Sequence, residues 1–132
     1  MTHLNDKEHR LLAINNYFYR RGGAETVFLD HIKLFSEIGW QTAPFAMQHP
    51  DNFPSDWSSY FVSEIEYGRE SSPLTKVVQA GKIMYSWEAR DRIKALIERF
   101  RPNVAHAHNI YHRLSPSIFP VLKDAGIPTV MT

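Results

Sequence analysis

Hydrophobic and polar positions in the first third of the chain form one short apolar run and one longer amphipathic stretch. The run from Leu11 to Ile14 is continuous and is closed by two asparagines, which is typical of a strand buried on both faces. From Ala24 to about Ile38, apolar residues recur at spacings of three and four, which predicts an amphipathic helix that ends at Gly39. The apolar stripe expected on this helix consists of Val27, Phe28, Ile32, Phe35 and Ile38.

A second strand is expected from Gln41 to Met47, where Pro44 removes a hydrogen-bond donor and favours an edge position. The residues from Gln48 to Arg69 form a long irregular stretch in which Tyr60–Val62 has the pattern of a brief strand. Aromatic residues are frequent here, and they either stack on a ligand or cover the edge of the sheet, the second being favoured. These aromatic residues are Phe53, Trp57, Tyr60, Phe61 and Tyr67.

The second half of the chain repeats the alternation of helices and strands. The expected elements are helices from Ser72 to about Tyr85, Trp87 to Phe100 and Ser115 to Asp124, and strands from Val104 to His108 and Ile127 to Met131. Strands that alternate with helices require crossover connections, so they pair in parallel. The pattern predicts a Rossmann-like α/β fold, a parallel sheet flanked by helices.

Composition limits the classes of function. The 132 residues suffice for one domain, and 15 basic against 14 acidic residues leave no broad basic surface for nucleic acid. The chain has no cysteine, which excludes disulfides and thiolate metal sites. No apolar run approaches the roughly 20 residues that span a bilayer, so we expect a cytoplasmic protein, with association at the inner membrane face left open.

The loop between the first strand and the first helix contains Arg20, Arg21, Gly22, Gly23 and Glu25. Glycines let the backbone approach a ligand closely, and the amides at a helix N-terminus attract an anion such as phosphate. In the alternative interpretation the glycines only form a turn, Glu25 complements the helix dipole and the arginines are solvated.

Two histidines stand where the strand after the second long helix ends. A period of two places His106 and His108 on one face, with His108 nearer the carboxyl edge where α/β folds bind ligands. The alternatives are histidines hydrogen-bonded to backbone, or a metal site completed by His112, which the lack of a neighbouring carboxylate disfavours. The following loop, from Tyr111 to Ser117, offers hydroxyls and amides, although helix capping alone explains Ser115.

Read in order, several segments resemble glycosyltransferase family 4 from about residue 11 to the end. They are Asn15–Glu25, Pro44–Met47 with His49–Pro50, Tyr60–Val62, Arg101–Asn109, Leu114–Ile118 and Gly126–Thr132. Asn103 departs from the aspartate common in that family. The resemblance implies a domain of the GT-B fold and a retaining transfer of a sugar from a nucleotide-sugar donor to a glycan or lipid-linked acceptor. It implies a role in surface polysaccharide biosynthesis, without a metal or a bound cofactor.

The resemblance also assigns roles to individual residues. It implies that His108 is the catalytic residue beside the transferred sugar and that the loop of Gly22, Gly23 and Glu25 faces the donor phosphates. The candidates for binding the acceptor are Tyr17, Arg20, Arg21, Asn109 and Tyr111.

The domain organisation expected from the resemblance is a polar tail at residues 1–10 and a partial N-terminal domain at residues 11–132. The family's second, donor-binding domain has no counterpart, so we expect this chain alone to be inactive. The alternative is a non-catalytic binding or scaffold module that pairs with a separate donor-binding domain. An exposed sheet edge makes self-association a further expectation.

Overall fold

The computed structural model describes residues 9–63, 75–108 and 117–131, and within these ranges it contains four strands and three α-helices. In chain order the elements are β1 (Arg10–Ile14), α1 (Gly23–Glu37), β2 (Gln41–Phe45), a 3-10 turn (Ser58–Tyr60), α2 (Thr75–Phe100), β3 (Val104–Ala107), α3 (Ile118–Asp124) and β4 (Thr129–Met131).

The four strands form one parallel sheet in the order β2-β1-β3-β4. In the two central strands Leu11 is opposite Val104, and Ala13 is opposite His106. Strand β2 pairs only with β1 among the described strands, so Pro44 lies at the edge that its missing amide proton favours. The predicted Rossmann-like α/β architecture is confirmed.

Alternate residues of β1 face opposite sides of the sheet. Leu12 and Ile14 join the larger apolar core, which α2 and α3 cover with Ile93, Leu96, Ile118 and Leu122 among others. Ala13 faces a smaller cluster on the other side, which α1 covers with Phe28. The sheet is therefore covered on both faces, and α1 is the described helix that covers the smaller cluster.

Helix α1 ends as predicted, but its buried stripe is narrower than predicted. Gly39 has a φ of 99°, the left-handed conformation that glycine adopts most readily after a helix. Phe28 is fully buried, whereas Val27 and Ile38 are 50% and 61% exposed. The predicted stripe was wrong at these two positions: Ile38 follows the last helical residue, Glu37, and Val27 is one position before Phe28, about 100° around the helix.

The two helices predicted between Ser72 and Phe100 are one continuous helix from Thr75 onward, which corrects the predicted break at Ser86. A single glycine inside a helix, here Gly81, costs only about 1 kcal/mol, and no proline follows it within the helix. The predicted start at Ser72 lies outside the described residues.

The aromatic residues after β2 cover the edge of the sheet. Met47 and Val62 form an isolated parallel bridge, and Phe61 between the turn and this bridge is buried. The ring of Trp57 contacts that of Phe100 with centroids 5.1 Å apart. This arrangement agrees with the favoured interpretation of these residues; Tyr67 lies outside the described ranges.

Within the part of the chain that the structure describes, no helix combines the length and the hydropathy needed to cross a membrane.

Replacing Phe28 tests whether its contacts hold α1 against the sheet. Replacing it with alanine removes a ring that is fully buried among Phe18, His108 and its other neighbours, and we expect a loss of about 3–5 kcal/mol in the free energy of unfolding. Urea denaturation measures this loss. Leu34→Ala on the same helix, where the side chain is 52% exposed, is the matched control, and an equal loss in both variants would contradict the assigned contact.

Candidate functional site

Polar residues buried in this fold gather at one edge of the sheet. Among the described residues, the buried polar or charged side chains are Asn15, Asn16, Glu25 and His108. Asn15 and Asn16 directly follow β1, His108 directly follows β3, and Glu25 lies in the first turn of α1. The candidate site is therefore the carboxyl edge of the two central strands.

The strand order explains why these residues meet. From β1 the chain crosses to β2 on one side, and from β3 it crosses to β4 on the other side. The connections leave a crevice between β1 and β3, the place where open α/β sheets bind ligands. The His108 amide donates to the Ile14 carbonyl at 2.7 Å, which extends the pairing of the two strands to this edge.

Asn15 connects the end of β1 to the start of α1. Its side-chain amide donates to the Tyr17 carbonyl at 2.8 Å and to Oε2 of Glu25 at 3.3 Å. Glu25 is only 3% exposed and lies near the positive end of the helix dipole, where a carboxylate is stabilised. The Glu25 carboxyl group thus complements the positive end of the α1 dipole.

Gly22 and Gly23 form an exposed turn next to the buried side chains of Asn15 and Glu25. Gly22 is extended, with φ −167° and ψ −166°, and its carbonyl accepts from the amide and the hydroxyl of Thr26. A β-carbon at Gly23 would meet no described atom within 4 Å, so the space over the helix N-terminus is open.

The two arginines of the loop contact the protein at its surface. Arg20 forms an exposed ion pair with Asp30 at 3.4 Å, and the guanidinium of Arg21 lies 4.4 Å from the centroid of the Tyr17 ring. Tyr17 itself is buried in the larger core and contacts Tyr19 and His49 edge to face. Neither arginine has a described contact with the buried polar residues of the crevice.

Three histidine rings meet on the α1 side of the sheet. His106 and His108 stack with centroids 4.0 Å apart, and His31 of α1 lies 5.5 Å from each of them. Phe28, one turn before His31, contacts the His108 ring with centroids 5.4 Å apart. Each histidine offers one nitrogen atom to a group in which these atoms lie within 4.8 Å of one another.

Burial keeps two of these imidazoles neutral. It lowers the pKa of His108 to about 4, with further lowering by the positive charges that His106 and His31 acquire when protonated. Burial also lowers the pKa of His106, again with a contribution from His31. Neutral imidazoles both donate and accept hydrogen bonds and are the form that ligates metals.

The structure brings together part of the predicted site. His108, the glycine turn and Glu25 lie at one sheet edge, whereas Tyr17 is in the core, and Arg20 and Arg21 are at the surface. Asn109, Tyr111 and His112 lie outside the described residues, so their predicted roles stay predictions.

Sequence reasoning missed two residues of this edge, Asn15 and His31. Asn15 was interpreted as the residue that closes the first strand and as part of the resembling segment Asn15–Glu25, without a role at the site. His31 follows Phe28 by three positions, and this spacing places it close to the buried stripe of α1.

Comparisons with known proteins support the fold and give no family. No protein-family model matches the chain, and no curated protein matches it. A solved structure with the same fold is the C-terminal domain of a hydrogenase from Pyrococcus furiosus, with a TM-score of 0.59 and 17% sequence identity. The match covers 93% of this chain and 89% of that one. At this identity the likeness shows the fold alone.

The prediction that the chain belongs to glycosyltransferase family 4 is wrong. Its structural neighbour is a domain of a protein named as a hydrogenase, and nothing in the comparisons points to a glycosyltransferase. The predicted sugar transfer, its role in polysaccharide synthesis and the alternative of a partner module for a donor-binding domain are contradicted with it. That assignment was based on short segments in family order, without a match over the whole chain.

The lowered pKa of His108 makes stability depend on pH. A histidine with a pKa of about 6.5 when unfolded and about 4 when folded contributes its full stability above pH 6.5 and loses it as the pH falls toward 4. The expected loss is roughly 3 kcal/mol. It is measured as the difference in unfolding free energy between about pH 7 and about pH 4, comparing the wild type with His108→Gln.

Carboxyl groups titrate in the same range, so the difference between the two proteins isolates the histidine. His31 and His106 face His108, and both remain in the variant. His9→Gln, at an exposed position stacked on Trp40, is the matched control. An identical pH dependence in the wild type and His108→Gln would show that His108 is not held neutral by the fold.

Proposed function

We propose that this domain binds a small polar ligand in the crevice at the carboxyl edge of β1 and β3, and that the crevice favours hydrogen-bond donors over anions. The observation that carries the proposal is the set of four buried polar residues at this edge, in a fold whose other described buried side chains are apolar. Burying a polar group costs free energy unless it is hydrogen-bonded. Such a concentration at a switch point is typical of a binding site.

Asn15 supplies a specific reason for a ligand. Its side chain is fully buried, and Oδ1 has no hydrogen-bond partner among the described residues. A buried acceptor without a partner costs about 1–3 kcal/mol. A donor from a bound molecule recovers part of this cost, so the amide oxygen favours a ligand with a hydroxyl, amide or amine group.

Glu25 argues against a phosphate ligand. Its carboxyl group lies 3.6 Å from the position of a β-carbon on Gly22, at the helix end that would otherwise attract an anion. A second negative charge at this position would be repelled. The expectation that the glycine turn faces phosphates is therefore not kept. We propose instead that the open space at this turn admits a neutral or cationic ligand.

The proposal is tested by protein-observed NMR with small probes of defined chemistry. A panel of neutral polyols, primary amides and alkylamines is titrated into the isotope-labelled chain, with inorganic phosphate as the contrasting anion. We expect at least one donor-bearing probe to shift the amide signals of Asn15, Asn16, Gly22 and His108, and phosphate to leave them unchanged. Asn15→Ala weakens this response at least threefold because it removes the buried acceptor.

Asn103→Ala is the matched control. Asn103 lies just before β3 at the opposite edge of the sheet, where its side-chain oxygen accepts from the Arg10 amide. Its replacement leaves the response of the crevice unchanged. The proposal fails if no probe shifts the signals at this edge, or if phosphate shifts them more strongly than every donor-bearing probe.

A further inference from the structure

The three histidine rings on the α1 side of the sheet form a group that shares His108 with the proposed crevice and adds His31 and His106 to it. One nitrogen from each of His31, His106 and His108 lies within 4.8 Å of the other two. We propose that these three histidines bind one divalent transition-metal ion, zinc in particular. This inference goes beyond the proposed function and departs from the expectation of a metal-free site.

The distances are close to those of a metal centre. Zinc–nitrogen bonds of about 2.0–2.1 Å in a tetrahedral arrangement place the ligand nitrogens about 3.3 Å apart. Binding an ion therefore requires the nitrogen atoms, now within 4.8 Å of one another, to approach by up to about 1.5 Å through rotation of the histidine side chains.

The fold fixes the three ligands from two sides. His106 and His108 project from one face of the sheet because they are two positions apart at the end of β3. His31 approaches from α1, which Phe28 holds against the sheet and against the His108 ring. Ala13, a small residue, is opposite His106 on the neighbouring strand.

His31 adds a second, independent observation. Its Nδ1 atom is buried and has no hydrogen-bond partner among the described residues. A buried nitrogen of this kind carries a cost that hydrogen bonding or metal ligation removes. The structure therefore gives His31 a reason to share an ion with the two histidines of β3.

The ligand set indicates the class of metal. Imidazole nitrogens suit zinc, copper and nickel, whereas magnesium and calcium require oxygen ligands. The group found among the described residues consists of histidines alone. Three protein ligands leave a fourth position for water or for an atom of a bound molecule, as in zinc sites that act on substrates.

The experiment measures zinc binding to the full chain by isothermal titration calorimetry, with cobalt as a spectroscopic substitute. We expect one equivalent of zinc to bind and cobalt to give the visible absorption of a four-coordinate ion. His31→Gln and His106→Gln each weaken zinc binding at least tenfold. Both side chains are partly exposed, so these variants retain the fold, which circular dichroism verifies.

His9→Gln and His49→Gln are the matched controls because they remove histidines far from this group in sequence. They leave zinc affinity within twofold of the wild type. The site is refuted if no stoichiometric binding occurs, or if His31→Gln binds zinc as tightly as the wild type. Binding that is lost in His112→Gln and retained in His31→Gln would refute it as well. These outcomes are distinct from those of the NMR titration, which contains no metal.

Discussion

The parallel pairing of β1 with β3 is the constraint on which the rest of this structure depends. It is set by Leu12 and Ile14 on one side and by the alanines of β3, which together pack under α2 and α3. Because the strands run in the same direction, both carboxyl ends reach one edge, and the crossovers to β2 and β4 diverge from it. The pairing of the strands is therefore sufficient to bring together the polar residues that follow each strand.

The two faces of the sheet differ in composition: one carries most of the apolar core, and the other carries the histidine group. The larger core carries most of the buried apolar side chains, while the α1 side has a smaller cluster with Phe18, Phe28 and Phe61, and a group of three histidine rings. Buried polar groups lower stability unless they are satisfied, so the α1 face contributes less to folding than its area suggests. The neutral state of His106 and His108 at ordinary pH follows from the same burial, which lowers the pKa of both imidazoles.

The hydrophobic pattern predicted the fold well because strand and helix periods are local properties. It predicted β1, the glycine end of α1 and the edge position of Pro44, but it divided α2 and widened the α1 stripe to Val27 and Ile38. The errors have different causes: a single glycine, Gly81, does not interrupt a helix, and which side of a helix is buried depends on its tertiary contacts. The site was predicted as far as residues adjacent to strand ends, and His31 was missed because its neighbours come from β3. Function was misassigned because short similar segments and a fold class do not determine chemistry.

Residues far apart in sequence meet at one edge of the β1–β3 pair. Interproton contacts measured by NMR in the wild-type chain without added ligand are the decisive measurement. We expect contacts from the His31 ring to the rings of His106 and His108, together with contacts from the Asn15 side-chain amide to Glu25. Contacts that place His31 away from β3, or that show β1 and β3 running antiparallel, would contradict it.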